Sequence, residues 1–273
     1  MEYIHYPELL EECHLGKDEV LLEKDINLLR NTPFHDSGYG VVELEHNFLQ
    51  DLVRSEIYRI TGKSFQLEQY HTHITDEEHT KILNSMPYKI TQNNLSELGK
   101  ELESVVSTQL GEPVKIFNGD IWVRICRPSS LFSNDFNPCH RDIYLDFYRN
   151  TVNIYVPICG SNELSSLTIQ PGSHLWNENE TFITKGGSYF KSTGKKYSVD
   201  AIVASKRPLN MIRPNPGKNQ ILLFSPYLIH GCANNDNVNV TRISLEVRFI
   251  HDDSFGLQQE ETFRDFLKMR TWR

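Results

Sequence analysis

His140 and Asp142 stand one residue apart in the run Cys139-His140-Arg141-Asp142, and His230 lies far downstream. Alternate residues of an extended segment share a face, so His140 and Asp142 are expected to point the same way, within reach of one ion. A neutral imidazole and a carboxylate suit a first-row divalent metal. Two histidines and one carboxylate on one face of an octahedron leave the other positions open, as in non-heme iron(II) centres that use O2. An H-x-D triplet alone is common and carries little. His230 strengthens it by ending the apolar run Ile221 to Ile229, which places it at the mouth of a buried strand. Taken singly, His230 would equally serve as a core histidine satisfied by a hydrogen bond.

A second group follows. From Val240 to Phe249 the residues alternate, with Thr241, Ile243, Leu245, Val247 and Phe249 on one face and Arg242, Ser244, Glu246 and Arg248 on the other. On a half-exposed strand the polar face would meet water. In a closed barrel with helices outside, the apolar face packs outward and Arg242 and Ser244 point in. A buried guanidinium needs an anion, and its fork matches a carboxylate. The far carboxylate of 2-oxoglutarate would supply one, with the Ser244 hydroxyl adding a bond.

These residues need a scaffold, and the chain divides into two textures. Residues 1–112 are predicted to be a mainly helical support. Phe48, Leu49, Leu52, Val53, Ile57 and Ile60 fall on one helical stripe that Gly62 stops, and Leu95 to Leu110 repeat the pattern before Gly111. Between them Thr75-x-x-Glu78 resembles a capping box opening a shorter helix. From 113 short strands are predicted: VKIF and IWVRIC around an Asn118-Gly119 hairpin, then 139–145, 151–158, 166–170, 219–225, 227–232 and 240–250. Helices followed by strands fit a mainly β fold with flanking helices, an antiparallel barrel or jelly roll over 113–250. The segment 251–273 is expected to be a C-terminal helix that caps the barrel or pairs with a second subunit. No repeat or linker divides the chain, so 1–273 is expected to be one domain.

The stretch 175–218 has no clear assignment and is expected to be a long lid loop. From Lys185 to Lys218 it carries Lys185, Lys191, Lys195, Lys196, Lys206, Arg207, Arg213 and Lys218, against Asp200 as its one acid. Either it is a solvated surface loop or it draws in an anionic substrate. The net charge of -8 over 273 residues argues against a general nucleic-acid binder. No run of about 18 apolar residues suggests a membrane span, and the acidic N-terminus is unlike a signal peptide. Five scattered cysteines without a C-x-x-C pair suggest reduced thiols in a cytoplasmic protein, with Cys139 a small packed neighbour of His140. His71, His73 and His79 are interrupted by a helix start, so helical spacing does not assemble them into a second metal site.

The elements from Ile121 to Ile250 resemble the phytanoyl-CoA dioxygenase-like family of Fe(II)/2-oxoglutarate-dependent oxygenases. The resemblance is carried by His140-x-Asp142, by Ser166-Leu167-Thr168-Ile169-Gln170-Pro171-Gly172-Ser173-His174, by Phe224 to Gly231 and by Arg242-x-Ser244. It implies a double-stranded β-helix (jelly roll, cupin-like) core, with iron on His140, Asp142 and His230. It also implies 2-oxoglutarate held by Arg242 and Ser244, with Asn153 a further contact, and O2 at the remaining metal position. Residues 140–158 and 241–249 are also similar, more loosely, to oxygenase-like proteins of streptomycin-type biosynthetic clusters. Related halogenases have a small residue in place of the carboxylate, so Asp142 favours hydroxylation over halogenation.

The expectation is therefore a hydroxylase of a small polar metabolite, anionic or sugar-like, that converts 2-oxoglutarate and O2 to succinate and CO2. Trp122 and Arg124 alternate in phase ahead of the metal segment; either could face substrate, though a structural ion pair suits Arg124 better. The competing readings are a non-catalytic jelly-roll binding protein and a cupin-type metalloenzyme that does not use 2-oxoglutarate. The first has no need of three intact ligands, and Arg242-x-Ser244 speaks against the second.

Overall fold

The computed structural model describes residues 1–22, 27–44, 47–132, 135–231 and 233–251. The N-terminal part contributes three strands, β1 (Tyr3–Ile4), β2 (His14–Leu15) and β3 (Tyr39–Glu43), as well as three helices, α1 (Asn47–Thr61), α2 (Tyr70–His73) and α3 (Asp76–Leu110). It is thus more than the helical support expected of 1–112. Two-residue strands show no alternation, so nothing in the sequence could reveal them. Helix α1 ends where expected: Gly62 adopts a left-handed φ of 70° and its N–H reaches the Tyr58 carbonyl.

The two expected helices after residue 75 are one. Thr75 and Glu78 form a complete capping box at the start of α3, and Gly111 closes it 35 residues later with φ 71°. The strands β4 (Val114–Cys126), β5 (Thr151–Cys159), β10 (Gln220–Phe224) and β11 (Arg242–His251) follow, separated by β6 (Thr181–Ile183), β7 (Ser188–Phe190), β8 (Lys195–Tyr197) and β9 (Ile202–Ser205). The Asn118-Gly119 hairpin is not formed. Both halves of β4 pair with the same strand, β11, and a register shift between Val247 and Phe249 takes up the surplus residues as a bulge.

The large sheet has the order β3-β10-β5-β11-β4, antiparallel throughout. Its outer face carries Ile243, Leu245, Val247 and Phe249, which join Leu49, Val53 and Ile57 of α1 and Leu102, Val106 and Leu110 of α3 in one buried cluster. Each such side chain removed from water stabilises the fold by about 1.5–3 kcal/mol. That apolar layer turns the polar residues of β11 to the interior. A smaller sheet, β1-β9-β6-β2, and the hairpin β7-β8 complete the β structure. They correct the reading of 175–218 as a lid loop: strands of three or four residues are too short to show a period. Beyond His251, which ends β11, the expected C-terminal helix lies outside the described residues. Among the described residues no helix is long and apolar enough to cross a membrane.

Candidate metal centre

The H-x-D segment is not a strand, as its period suggested, but half of an isolated bridge. His140 and His230 exchange backbone hydrogen bonds, N–H to carbonyl, at 3.0 Å in both directions, and the Asp142 N–H reaches the Pro226 carbonyl at 3.0 Å. This pairing sets the two imidazoles beside one another, ring centroids 4.3 Å apart. Arg141 is extended (φ -115°, ψ 137°), which preserves the alternation, and a 3-10 turn begins at Asp142. Gly231 allows the close approach: its φ is 98°, and an added Cβ would lie 2.3 Å from the Pro138 carbonyl oxygen and 3.0 Å from His140 Nδ1.

The protonation pattern follows from the partners. His140 Nδ1 lies 2.6 Å from the Pro138 carbonyl and His230 Nδ1 lies 2.8 Å from the Leu228 carbonyl. A carbonyl only accepts, so each Nδ1 carries the proton and each Nε2 keeps a lone pair. Those lone pairs meet Asp142 Oδ1, which is 3.3 Å from His140 Nε2 and 3.6 Å from His230 Nε2. The other oxygen, Oδ2, accepts from Asn153 Nδ2 at 2.9 Å and from Arg248 Nε and Nη2 at 3.0 and 2.6 Å. Burial alone would raise the Asp142 carboxyl; the Arg248 charge overrides it and holds it well below the usual carboxylate range. Burial, then the neighbouring His230, lowers His140. Two neutral imidazoles and an ionised carboxylate, with ligand atoms all within 4.8 Å of one another, form a buried donor set that fits a divalent cation.

A cavity of about 500 Å3 reaches His140 and His230, and Arg242 lines it as well. Arg242 is buried; its Nη1 donates to Ser244 Oγ at 2.7 Å, its Nη2 to Cys126 Sγ at 2.8 Å, and its Nε has no partner. A buried guanidinium with an unspent N–H, beside a metal site, suits a carboxylate. The structure brings Arg242 to a wall of this cavity, with Ser244 hydrogen-bonded to it. Asn153, expected to contact cosubstrate, gives its amide N–H to Asp142, opposite Arg248 across the β5–β11 ladder.

Arg248 is the residue the sequence reading missed. It shares the inward face with Arg242, and the same alternation was the signal that could have assigned it. Arg124 makes the expected ion pair, its Nε 3.1 Å from Glu246 Oε2, and also lines the cavity. Lys195 and Lys196 of β8 line it too, whereas Lys191 and Arg207 face Glu12 and Glu180, each at 3.6 Å. Of the N-terminal histidines, His71 bonds Thr241 and Asn239, His73 stacks on Phe65, and His79 reaches the cavity wall. Cys13, Cys126 and Cys159 are free thiols, but Cys139 is disulfide-bonded, which corrects the expectation of reduced cysteines. Wide spacing hid it, since only folding brings distant cysteines within bonding range.

No family model matches the chain, and no curated protein matches it. Solved structures do. The apo form of ThoJ, a non-heme monooxygenase, matches 80% of this chain and 75% of its own at 12% identity and a TM-score of 0.50. EctD from S. alaskensis, solved with 2-oxoglutarate and 5-hydroxyectoine, matches 92% of this chain and 84% of its own at 13% identity and a TM-score of 0.50. At such identities the likeness is one of fold: this chain shares its architecture with these two structures.

Proposed function

We propose that this chain is a single-domain iron(II)- and 2-oxoglutarate-dependent oxygenase with a jelly-roll core, of the phytanoyl-CoA dioxygenase-like type. Its most fitting reaction is hydroxylation of a small polar metabolite. One observation carries the reading: His140, Asp142 and His230 bring their ligand atoms within 4.8 Å of one another beside a cavity lined by both histidines and by Arg242, whose buried Nε has no hydrogen-bond partner. The fold shared with ThoJ and with EctD, whose structure contains 2-oxoglutarate, supports it.

His140, Asp142 and His230 would hold the iron. Arg242 and Ser244 would hold the far carboxylate of 2-oxoglutarate. When bound, the pair supplies the chemistry, coupling conversion of 2-oxoglutarate and O2 to succinate and CO2 with oxidation of a C–H bond. The protein's own work is placement. The Pro138 and Leu228 carbonyls fix both imidazoles as Nε2 ligands, and Arg248 and Asn153 hold the Asp142 carboxylate with Oδ1 forward. Leu167 and Ala233 line the cavity and limit water near the ligands. An intact carboxylate at Asp142 favours hydroxylation over halogenation.

Anaerobic protein mixed with iron(II) and 2-oxoglutarate should develop a weak visible band near roughly 500 nm. The band should vanish in His140→Ala and weaken in Arg242→Ala. Wild-type protein with no band and no succinate release in air would overturn the proposal.

A further inference from the structure

Arg242 is held from two directions. Its Nη1 donates to Ser244 Oγ at 2.7 Å, two residues along its own strand, and its Nη2 donates to Cys126 Sγ at 2.8 Å. Cys126 ends β4 and stands opposite Arg242 in the β4–β11 ladder, so the second contact comes from the neighbouring strand. The guanidinium also lies 5.9 Å from the centre of the Tyr155 ring. Both terminal nitrogens are thus engaged, while the buried Nε has no partner. Cys126 and Arg242 both line the cavity that reaches His140 and His230.

The three neighbours share one property: none is charged. Burial pushes the Cys126 thiol above its ordinary value and the Arg242 charge offsets only part of that, so near pH 7 the sulfur is a neutral S–H. Burial likewise raises the Tyr155 phenol, whose hydroxyl lies 2.9 Å from Ser161 Oγ. The charge of Glu246 reaches Arg242, but that carboxylate faces Arg124 at 3.1 Å and Arg248 at 3.9 Å. A carboxylate in place of the Cys126 thiol would hold the guanidinium more firmly, since charge strengthens a hydrogen bond. It would also cancel the charge that an incoming carboxylate needs. A thiol is a weak acceptor. It orients the guanidinium and leaves the full charge to the ligand.

We infer that Cys126 is a positioning residue of the cosubstrate site, an uncharged partner that aims Arg242 at the far carboxylate of 2-oxoglutarate without neutralising it. The inference rests on the oxygenase reading, which assigns that carboxylate to Arg242.

Titration of the full-length protein, loaded anaerobically with iron(II), with two 2-oxo acids tests it through the visible band. 2-Oxoglutarate carries the far carboxylate; pyruvate offers the metal the same 2-oxo acid group and lacks it. Cys126→Ser keeps a neutral acceptor and should bind 2-oxoglutarate within about twofold of wild type. Cys126→Ala frees Nη2, and re-ordering one long side chain should weaken 2-oxoglutarate by about two- to tenfold. Cys126→Asp should weaken it by about 10–100-fold, the scale of a lost charge-assisted hydrogen bond. Pyruvate and iron(II) should bind all three variants as they bind wild type, because neither uses Arg242. A packing defect lowers both acids together, and that result in Cys126→Ala would overturn the inference. So would Cys126→Asp protein that binds 2-oxoglutarate as tightly as Cys126→Ser. Two failures remain distinct. Wild type that binds iron(II) but neither acid refutes the oxygenase reading, whereas wild type that binds 2-oxoglutarate with no loss in any variant refutes the role of Cys126 alone.

Discussion

Replacing Arg248 isolates what holds the acidic ligand in place. Its guanidinium makes two hydrogen bonds to Asp142 Oδ2, at 3.0 and 2.6 Å, and lies 3.9 Å from Glu246 Oε2. Arg248→Met removes the cation and leaves two buried carboxylates short of a partner. Breaking a buried pair from one side costs about 3–5 kcal/mol, so the metal-free variant should lose that much in urea unfolding with a chelator present. Arg248→Lys keeps the charge but loses the fork, leaving at most one of two charge-assisted bonds, and should cost about 1–2 kcal/mol. At the metal the two effects oppose each other. Losing a positive charge favours a dication, whereas releasing the carboxylate disfavours it. The lysine variant keeps the charge near constant, so only orientation changes, and its zinc or iron affinity should fall by roughly 10–100-fold. An Arg248→Met protein as stable as wild type, or an Arg248→Lys protein with undiminished metal affinity, would refute this account of Asp142.

Other perturbations have equally definite outcomes. Gly231→Ala forces a left-handed residue and drives a methyl toward the Pro138 carbonyl and His140 Nδ1; backbone strain alone costs about 1–3 kcal/mol, and metal affinity should fall with it, as equilibrium dialysis would show. His79 titrates at about 4 in the folded protein, below its ordinary 6.5, through burial and then Arg127. The unfolded chain therefore binds the extra proton between those values, and stability present above pH 6.5 is lost as pH falls toward 4. The loss is ~3 kcal/mol, and His79→Leu should remove that part of the difference between denaturation curves at pH 7 and pH 4.5. Parallel pH dependence in wild type and variant would count against a neutral buried His79.

The sequence carried the site further than it carried the fold. Period-2 alternation from Val240 to Phe249 was enough to turn Arg242 inward, because the apolar face had to meet helices. Helix α1, the Thr75–Glu78 cap and the stops at Gly62 and Gly111 were likewise visible, since each is a local device. What stayed hidden depends on distant partners. The bridge that pairs His140 with His230 joins two segments expected to be strands, 139–145 and 227–232, whose pairing stops at one bridge, and β4 looked like a hairpin because Asn-Gly favours a turn when no neighbour competes for it. Here β11 competes and wins. Likewise the hydrogen bond from Asn153 to Asp142 could not be read from the sequence, because eleven residues separate them.

The supports of the three ligands differ in kind. His140 and His230 are each anchored by the carbonyl two residues earlier in their own chain segment, Pro138 and Leu228. A carbonyl belongs to every residue type, so no side-chain replacement deletes it, and the identity of the metal-facing nitrogen is insulated from changes in sequence. The Asp142 carboxylate is held by the side chains of Arg248 and Asn153, both of which can be exchanged. Adjustment of the metal's affinity, whether by drift or by engineering, therefore has its handle at the carboxylate rather than at the imidazoles.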